Sequence, residues 1–275
     1  MSGSIFSKRI DSVAIGAFDG MHRGHQALFR KLTSNGAVVV IDKGYALLTP
    51  GYERCIHTLY PCSFFPLQEI KDLDAKGFLD LLQKRFPALQ RVVVGYDFAF
   101  GKDRKYGIGD LQELFKGEVV VVDEVQIDGI SVHSRTIKKL LTQGDIYLAN
   151  KMLGRSYSIA GKVQKGLGLG KRELVPTINL TVENFLLPKE GVYATWSEVG
   201  GEIFPSVTFI GKRESVDGSF SIETHIIDKK IEYSIEAVRI YFVQFLRDNK
   251  KFNSLLQLKE QIQKDIQMAK EVICG

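Results

Sequence analysis

The sequence predicts an α/β protein in two parts. Residues 1–154 read as an N-terminal domain on a parallel sheet, and residues 155–275 as a small antiparallel β-barrel with a terminal helix. Three observations predict this. Short, wholly apolar runs alternate with helical patterns in the first half, as in a sheet covered on both faces. After Leu153-Gly154-Arg155 the helical pattern vanishes and many short strand-like segments follow, as in a small closed barrel. From Ser254 a single amphipathic pattern resumes.

Asp11–Gly16, with Val13 and Ile15, reads as a buried strand. Gly24–Leu32 reads as a helix with Leu28, Phe29 and Leu32 inward, closed by Ser34-Asn35-Gly36. Ala37–Ile41, Arg91–Gly95 and Val119–Val122 are further strands, and Asp74–Phe86 is a helix with Phe78, Leu79, Leu81, Leu82 and Phe86 on one side. Helices near 110–116, 134–142 and 145–153 complete the first part. Strand-like segments follow near 157–163, 190–198, 204–210, 220–227 and 232–243. Ser254 caps the last helix, whose expected buried stripe is Leu255, Leu258, Ile262, Ile266 and Val272.

Composition narrows the function. The chain has 275 residues, 44% of them apolar and 25% charged, which excludes a disordered chain. A net charge of +5 suits an enzyme that handles phosphate anions. No Lys/Arg block interleaved with aromatics supports nucleic-acid binding, so none is expected. Three cysteines without a C-x-x-C pair predict reduced, unligated thiols. Neither a secretory leader nor an apolar span of membrane length is visible, so a soluble cytoplasmic protein with no membrane partner is the expectation.

Two stretches carry chemistry. Gly16-Ala17-Phe18-Asp19-Gly20-Met21-His22-Arg23-Gly24-His25-Gln26 follows a buried strand and opens a helix. Its glycines let the backbone approach a ligand, and a helix start offers free N–H groups to phosphate. His22 and His25 are three apart, so both can point one way. That suits nucleotidyl transfer, in which an ionised phosphate attacks the α-phosphorus of ATP. No base is needed there, only donors aimed at the growing charge. Zinc is the other use of two histidines, but no third ligand lies nearby. The second stretch holds Gly161-Lys162, Gly166, Gly168, Gly170 and Lys171-Arg172, then Pro176-Thr177-Ile178-Asn179. Amides and cations can hold phosphates there, while a hydroxyl and an amide oxygen can share Mg²⁺. Glu223, on a barrel strand, can deprotonate an alcohol. Each feature also has a plainer use. The histidines can be turn residues, Ser134 a simple N-cap, the glycine run a hairpin, and Glu223 a solvent-facing strand residue.

The first string resembles the H-x-G-H signature of the nucleotidyltransferase superfamily in its FAD synthetase branch, which implies a Rossmann-like domain. By that resemblance His22 and His25 are catalytic, and Gly16, Phe18, Asp19, Gly20 and Gly24 lie around the ATP phosphates. Gly95-Tyr96-Asp97-Phe98-Ala99-Phe100-Gly101 and Arg104 resemble that branch's flavin-side stretch, which implies Asp97, Phe98, Phe100 and Arg104 as flavin contacts. Val132-His133-Ser134-Arg135-Thr136-Ile137-Lys138 falls where the family carries Ile-Ser-Ser-Thr-x-Ile-Arg. Ser134, Arg135 and Lys138 are the implied phosphate ligands, with His133 and Arg135 departing from the pattern. The family's acidic-Pro-His-Pro stretch is replaced by Asp42-Lys43-Gly44-Tyr45, and the connection after the second strand reads as short.

The second half resembles riboflavin kinase. Pro176-Thr177-Ile178-Asn179 is similar to its Pro-Thr-Ala-Asn motif. Gly191-Val192-Tyr193, Ile210-Gly211-Lys212-Arg213 and Ile222-Glu223-Thr224-His225 follow in the family's order. The resemblance implies Glu223 as the base and Thr177 and Asn179 as Mg²⁺ ligands. It also implies Gly161, Lys162, Gly170 and Lys171 at the ATP phosphates, and Arg247 and Phe252 beside the flavin. ATP, riboflavin, FMN and FAD are the implied partners, and oligomeric state stays open. Two other readings remain open: a riboflavin kinase whose N-terminal domain binds without transferring AMP, and a flavin sensor that binds without turnover.

Overall fold

The protein was analysed as a computed structural model, which describes residues 7–45, 47–164, 175–213, 218–229 and 235–274. Two compact units emerge, Met1–Ser134 and Arg135–Gly275. The two helices that follow Val132-His133 cluster with the barrel.

The first unit is a five-stranded parallel sheet. Its strands are β1 (Ser12–Gly16), β2 (Gly36–Asp42), β3 (Cys62–Pro66), β4 (Arg91–Gly95) and β5 (Glu118–Val122), in the order β3-β2-β1-β4-β5. Period-two alternation explains why the runs are wholly apolar. Val13, Ile15, Val39, Val92 and Val94 face one cluster, which also contains Phe78, Leu79 and Leu82 of helix α3 and Leu111 of α4. Ala14, Val38, Val40 and Val93 face the other, with Leu28 and Phe29 of α1. Those helices are α1 (Arg23–Phe29), α2 (Leu67–Ile70), α3 (Ala75–Arg85) and α4 (Ile108–Leu114). The strand order reverses between β1 and β4, so a ligand site is expected beyond their carboxyl ends.

Several elements were not foreseen, strand β3 among them. The segment after β2 is not a short connection: it runs through a 3-10 helix, Gly51–His57, to β3. Cys62-Ser63-Phe64-Phe65-Pro66 lacks a β-branched run and sits at the sheet edge, where Pro66 has no second neighbour to bond. After β5, strands β6 (Gln126–Ile127) and β7 (Ile130–Ser131) form a hairpin. Its turn places Asp128 and Gly129 at φ +52° and +76°, the left-handed pair that a tight hairpin needs.

The second unit opens with α5 (Ser134–Gln143) and α6 (Ile146–Leu153). Asn150 ties α6 to the barrel: its amide donates to Phe242 O at 2.8 Å, and its carbonyl accepts from Tyr157 N at 2.7 Å. The barrel is closed, β10-β11-β12-β9-β8-β13. Its strands are β8 (Ser158–Gln164), β9 (Ile178–Thr181), β10 (Gly191–Val199), β11 (Glu202–Lys212), β12 (Phe220–Ile226) and β13 (Ala237–Arg247). The expected strand 232–243 starts later and runs on through Arg247, its first residues falling outside those described. Helix α7 (Leu255–Cys274) is capped by Ser254, whose hydroxyl accepts from Gln257 N at 3.3 Å. Its buried side is led by Asp265 and Ala269, while Leu255, expected inside, is exposed. An apolar count could not foresee the acid, because Asp265 is buried only through its pairing with Arg247.

Candidate active sites

The first site lies beyond β1. The chain turns sharply there, with Phe18 and Met21 at φ +53° and +43°. His22 is the N-cap of α1, its Nδ1 accepting from His25 N at 3.4 Å. An accepting Nδ1 places the neutral ring's proton on Nε2, which makes His22 a donor at that atom. The two imidazoles stack with centroids 3.5 Å apart, and Phe18 meets His25 edge-on at 5.0 Å. Gly24 is required by closeness: a Cβ there would meet the His22 ring at 3.1 Å and Val132 O at 3.4 Å. A Cβ on Gly16 would press on the Phe18 ring at 3.0 Å.

Other expected residues of this site have defined partners. Asp19 accepts from the amides of Leu48 and Thr49 at 2.9 and 3.1 Å, and Gly20 N donates to Thr49 Oγ1 at 2.7 Å. Asp19 therefore holds the loop in shape with its carboxylate. Ser134 donates to Asp19 O at 2.7 Å and so pins the start of α5 to the glycine-rich turn. Arg135 is exposed and Lys138 half-buried in that helix. Phe98 stacks on Phe100, which is buried against Phe78 and Tyr106 in the core. Asp97 and Arg104 are exposed.

Beside this turn lies a cluster that the sequence did not reveal. Tyr96 Oη donates to Glu124 Oε1 at 2.9 Å and lies 3.3 Å from His133 Nε2. Gln126 Nε2 donates to Glu124 Oε2 at 2.9 Å. Hydrogen bonds from Gln126, Ser131 and Tyr96 lower the Glu124 carboxyl to about 2.

The second site is built on β12 and its neighbours. Glu223 pairs with Asn179 of β9 on one side and Phe209 of β11 on the other. Thr177 Oγ1 donates to Glu223 Oε2 at 3.3 Å, and Ser221 Oγ donates to Oε1 at 3.0 Å. Arg213 NH1 stands 3.6 Å from the same Oε1. His225 Nδ1 is 2.8 Å from Pro176 O, which ties β12 to the Pro-Thr-x-Asn stretch. Ser221, Glu223 and His225 share one face by strand alternation; that spacing was readable, although only Glu223 was singled out. The carboxylate edges a cavity of about 160 Å³ between the barrel's outer face and α7. Its lining includes the polar Thr177, Arg213 and Glu223 and the apolar Val207, Phe209, Leu258 and Ile262.

Arg247 and Phe252 also line this cavity. The Arg247 guanidinium is bidentate to the buried Asp265, Nε–Oδ1 2.8 Å and NH2–Oδ2 2.7 Å, and this fork clamps α7 to β13. Gly161 sits where a Cβ would meet Thr181 O at 3.0 Å, and Lys162 beside it is exposed. Gly170 and Lys171 lie outside the described residues.

Comparison with known proteins finds a separate family model for each part of the chain. A riboflavin kinase family model matches residues 153–273, and an FAD synthetase model matches residues 6–41. The bifunctional riboflavin kinase/FMN adenylyltransferase of Listeria monocytogenes is 30% identical over 93% of this chain and 90% of its own. This chain belongs to the bifunctional riboflavin kinase/FMN adenylyltransferase family. The Pseudomonas fluorescens member is 29% identical, over 93% of this chain and 91% of its own. A solved structure described as a macrolide-efflux protein from Streptococcus pneumoniae superposes with a TM-score of 0.83, at 27% identity over 94% of both chains. The efflux name belongs to that protein. Among the described residues here, no helix is long and apolar enough to cross a membrane.

Proposed function

We propose that the barrel unit phosphorylates riboflavin to FMN and that the α/β unit adenylylates FMN to FAD, with ATP as donor in both. The observation that carries this reading is the Glu223 carboxylate on the wall of a cavity that also presents Val207, Phe209, Leu258 and Ile262, with the Thr177 hydroxyl bound to it. The apolar side chains suit a planar ring system and the carboxylate its ribityl 5′-hydroxyl. Glu223 accepts the hydroxyl proton, the 5′-oxygen bonds to the γ-phosphorus, the β–γ bridge breaks and ADP leaves. Thr177 and Asn179 offer hard oxygens that suit Mg²⁺, which when bound neutralises phosphate charge. The kinase module is proposed to span 155–275, in a cytoplasmic protein.

In the α/β unit, an FMN phosphate oxygen attacks the α-phosphorus of ATP and pyrophosphate leaves. The nucleophile is already ionised, so His22 and His25 act as donors to the phosphoryl oxygens. Two alternatives predict different products. Incubation with riboflavin, ATP and Mg²⁺ should give FMN first, then FAD, with ADP and pyrophosphate. FMN without FAD identifies a kinase alone, and flavin binding with no product identifies a sensor.

A further inference from the structure

We propose that Arg213 takes part in the phosphoryl-transfer step: it restrains the Glu223 carboxylate in the empty site and, with nucleotide bound, stabilises the charge on the transferring phosphoryl group. This rests on the kinase reading of the barrel and adds a cation to it. Three full cations line the cavity among the described residues: Arg213, Arg247 and Lys250. Arg247 is held bidentate by Asp265. Lys250 donates to Gln261 Oε1 at 3.0 Å and stands over the Phe252 ring. Only Arg213 of the three faces the proposed base.

Its geometry fits both roles. Nε and NH2 of Arg213 bond the Ser219 hydroxyl at 3.2 and 2.6 Å, which fixes the fork from one side. The NH1 edge is thereby turned to Glu223, at 3.6 Å, too long for a good hydrogen bond but close enough for strong attraction. Arg213 faces the same carboxylate that must meet the riboflavin hydroxyl, so the pair needs to separate when the site turns over. A bound γ-phosphate supplies the competing anion. Arg213 arises directly after β11, where Gly211 pairs with Ser221 two residues before Glu223, so its backbone holds the guanidinium on the side of the sheet edge that carries the proposed base. At the transition state a fixed guanidinium is worth far more than in water. No atom is transferred to or from Arg213; it offers charge and hydrogen bonds alone.

The test compares wild type, Arg213→Ala, Arg213→Lys and Glu223→Gln. It follows FMN formation from riboflavin and measures riboflavin affinity by fluorescence quenching. Arg213→Ala should lose on the order of a hundred- to a thousandfold in kcat, with riboflavin Kd within about threefold. Added guanidinium should restore part of the loss. Combined with Glu223→Gln, Arg213→Ala should cut kcat further, because it acts on the phosphoryl group as well as on the base. A kcat within about fivefold of wild type, a Kd that rises in step with the lost rate, or no further loss in the double variant each overturns the proposal. Should Arg213→Ala not fold, Arg213→Lys decides: a fall of about tenfold or more at unchanged Kd supports the planar fork, and full activity overturns it. If the wild type itself makes no FMN, the kinase reading falls instead.

Discussion

The two units bury their interiors in opposite ways. The parallel sheet is flanked by two purely apolar clusters, and its strands sort Val, Ile and Ala to one side or the other by simple alternation. The barrel interior instead contains a closed ring of buried hydroxyls. Thr195 bonds Ser206 and Thr208 at 2.8 Å each, Ser197 bonds Ser206 at 2.8 Å and Thr224 at 3.1 Å, and Thr208 donates to Thr224 at 3.0 Å. Each hydroxyl can donate once and accept once around the ring, so all five are satisfied without water. The ring links β10, β11 and β12, and Thr224 is the inward neighbour of Glu223. A directional network specifies strand register, whereas an apolar face specifies only which side is in. The proposed sites differ in parallel: paired imidazoles at a strand end in one unit, a carboxylate on the outer face in the other.

The comparison of chemistries makes the largest prediction. Glu223→Gln keeps the side chain's shape and removes its proton affinity, so FMN formation should fall by about a hundred- to ten-thousandfold. FAD formation from supplied FMN should stay near wild type, since the two reactions use different groups. Conversely, His25→Ala should cost on the order of a hundredfold in adenylyl transfer and leave the kinase near wild type. Measuring both reactions on each preparation gives a two-by-two result. If either substitution damages both reactions alike, the contrast between the sites is wrong.

A smaller effect separates the two interiors. Leu82→Ala, in the apolar cluster above the sheet, should destabilise by about 2–5 kcal/mol through lost burial and a cavity. Thr208→Val nearly conserves volume and should cost about 1–3 kcal/mol, because Thr195 and Thr224 each lose a ring partner. The sharper test replaces Thr195, Thr208 and Thr224 by Val together. With few hydroxyls left unpaired, the triple change should cost clearly less than the sum of three single ones. Strict additivity in denaturant unfolding would mean that the ring does not act as a unit.

How much of this was legible follows the same divide. Alternation and glycine-rich turns exposed the sheet, since each apolar strand is long enough to show its period. Strand β3 escaped because an edge strand ending in Pro66 need not be β-branched. His22, His25, Thr177 and Glu223 could be named because their chemistry is local in sequence. Ser219 and Asp265 could not, and Arg213 was legible only as part of a family turn, because each matters through a partner brought near by folding: Arg213, Arg247 and Glu223 respectively. The hydroxyl ring was hidden for the same reason. Ser and Thr at alternate strand positions read as an outward face, and only barrel closure turns them inward.

The smallest prediction concerns charge at the rim of the α/β unit, where polar groups do what the ring does in the barrel. Glu124 fastens the β6–β7 hairpin to Tyr96 through hydrogen bonds from Gln126, Ser131 and Tyr96. Those bonds favour the ionised carboxylate and lower it from the usual 4.5 to about 2. A depressed acid stabilises the fold above its unfolded value and loses that contribution as pH falls through the folded one. The hairpin should therefore hold at pH 5 and loosen progressively between 4.5 and about 2. Carbon-detected titration of the side-chain carboxyls checks this directly, with the Glu124 midpoint expected well below the other exposed glutamates. Glu124→Gln should abolish that midpoint and remove the acid sensitivity of the Tyr96 signals, with little change in global melting, because the cluster is solvent-exposed and exposed charges contribute little. A Glu124 midpoint among the ordinary carboxylates would show that its donors do not hold it in solution. The directional polar network would then be confined to the barrel, and the contrast between the units would be sharper still.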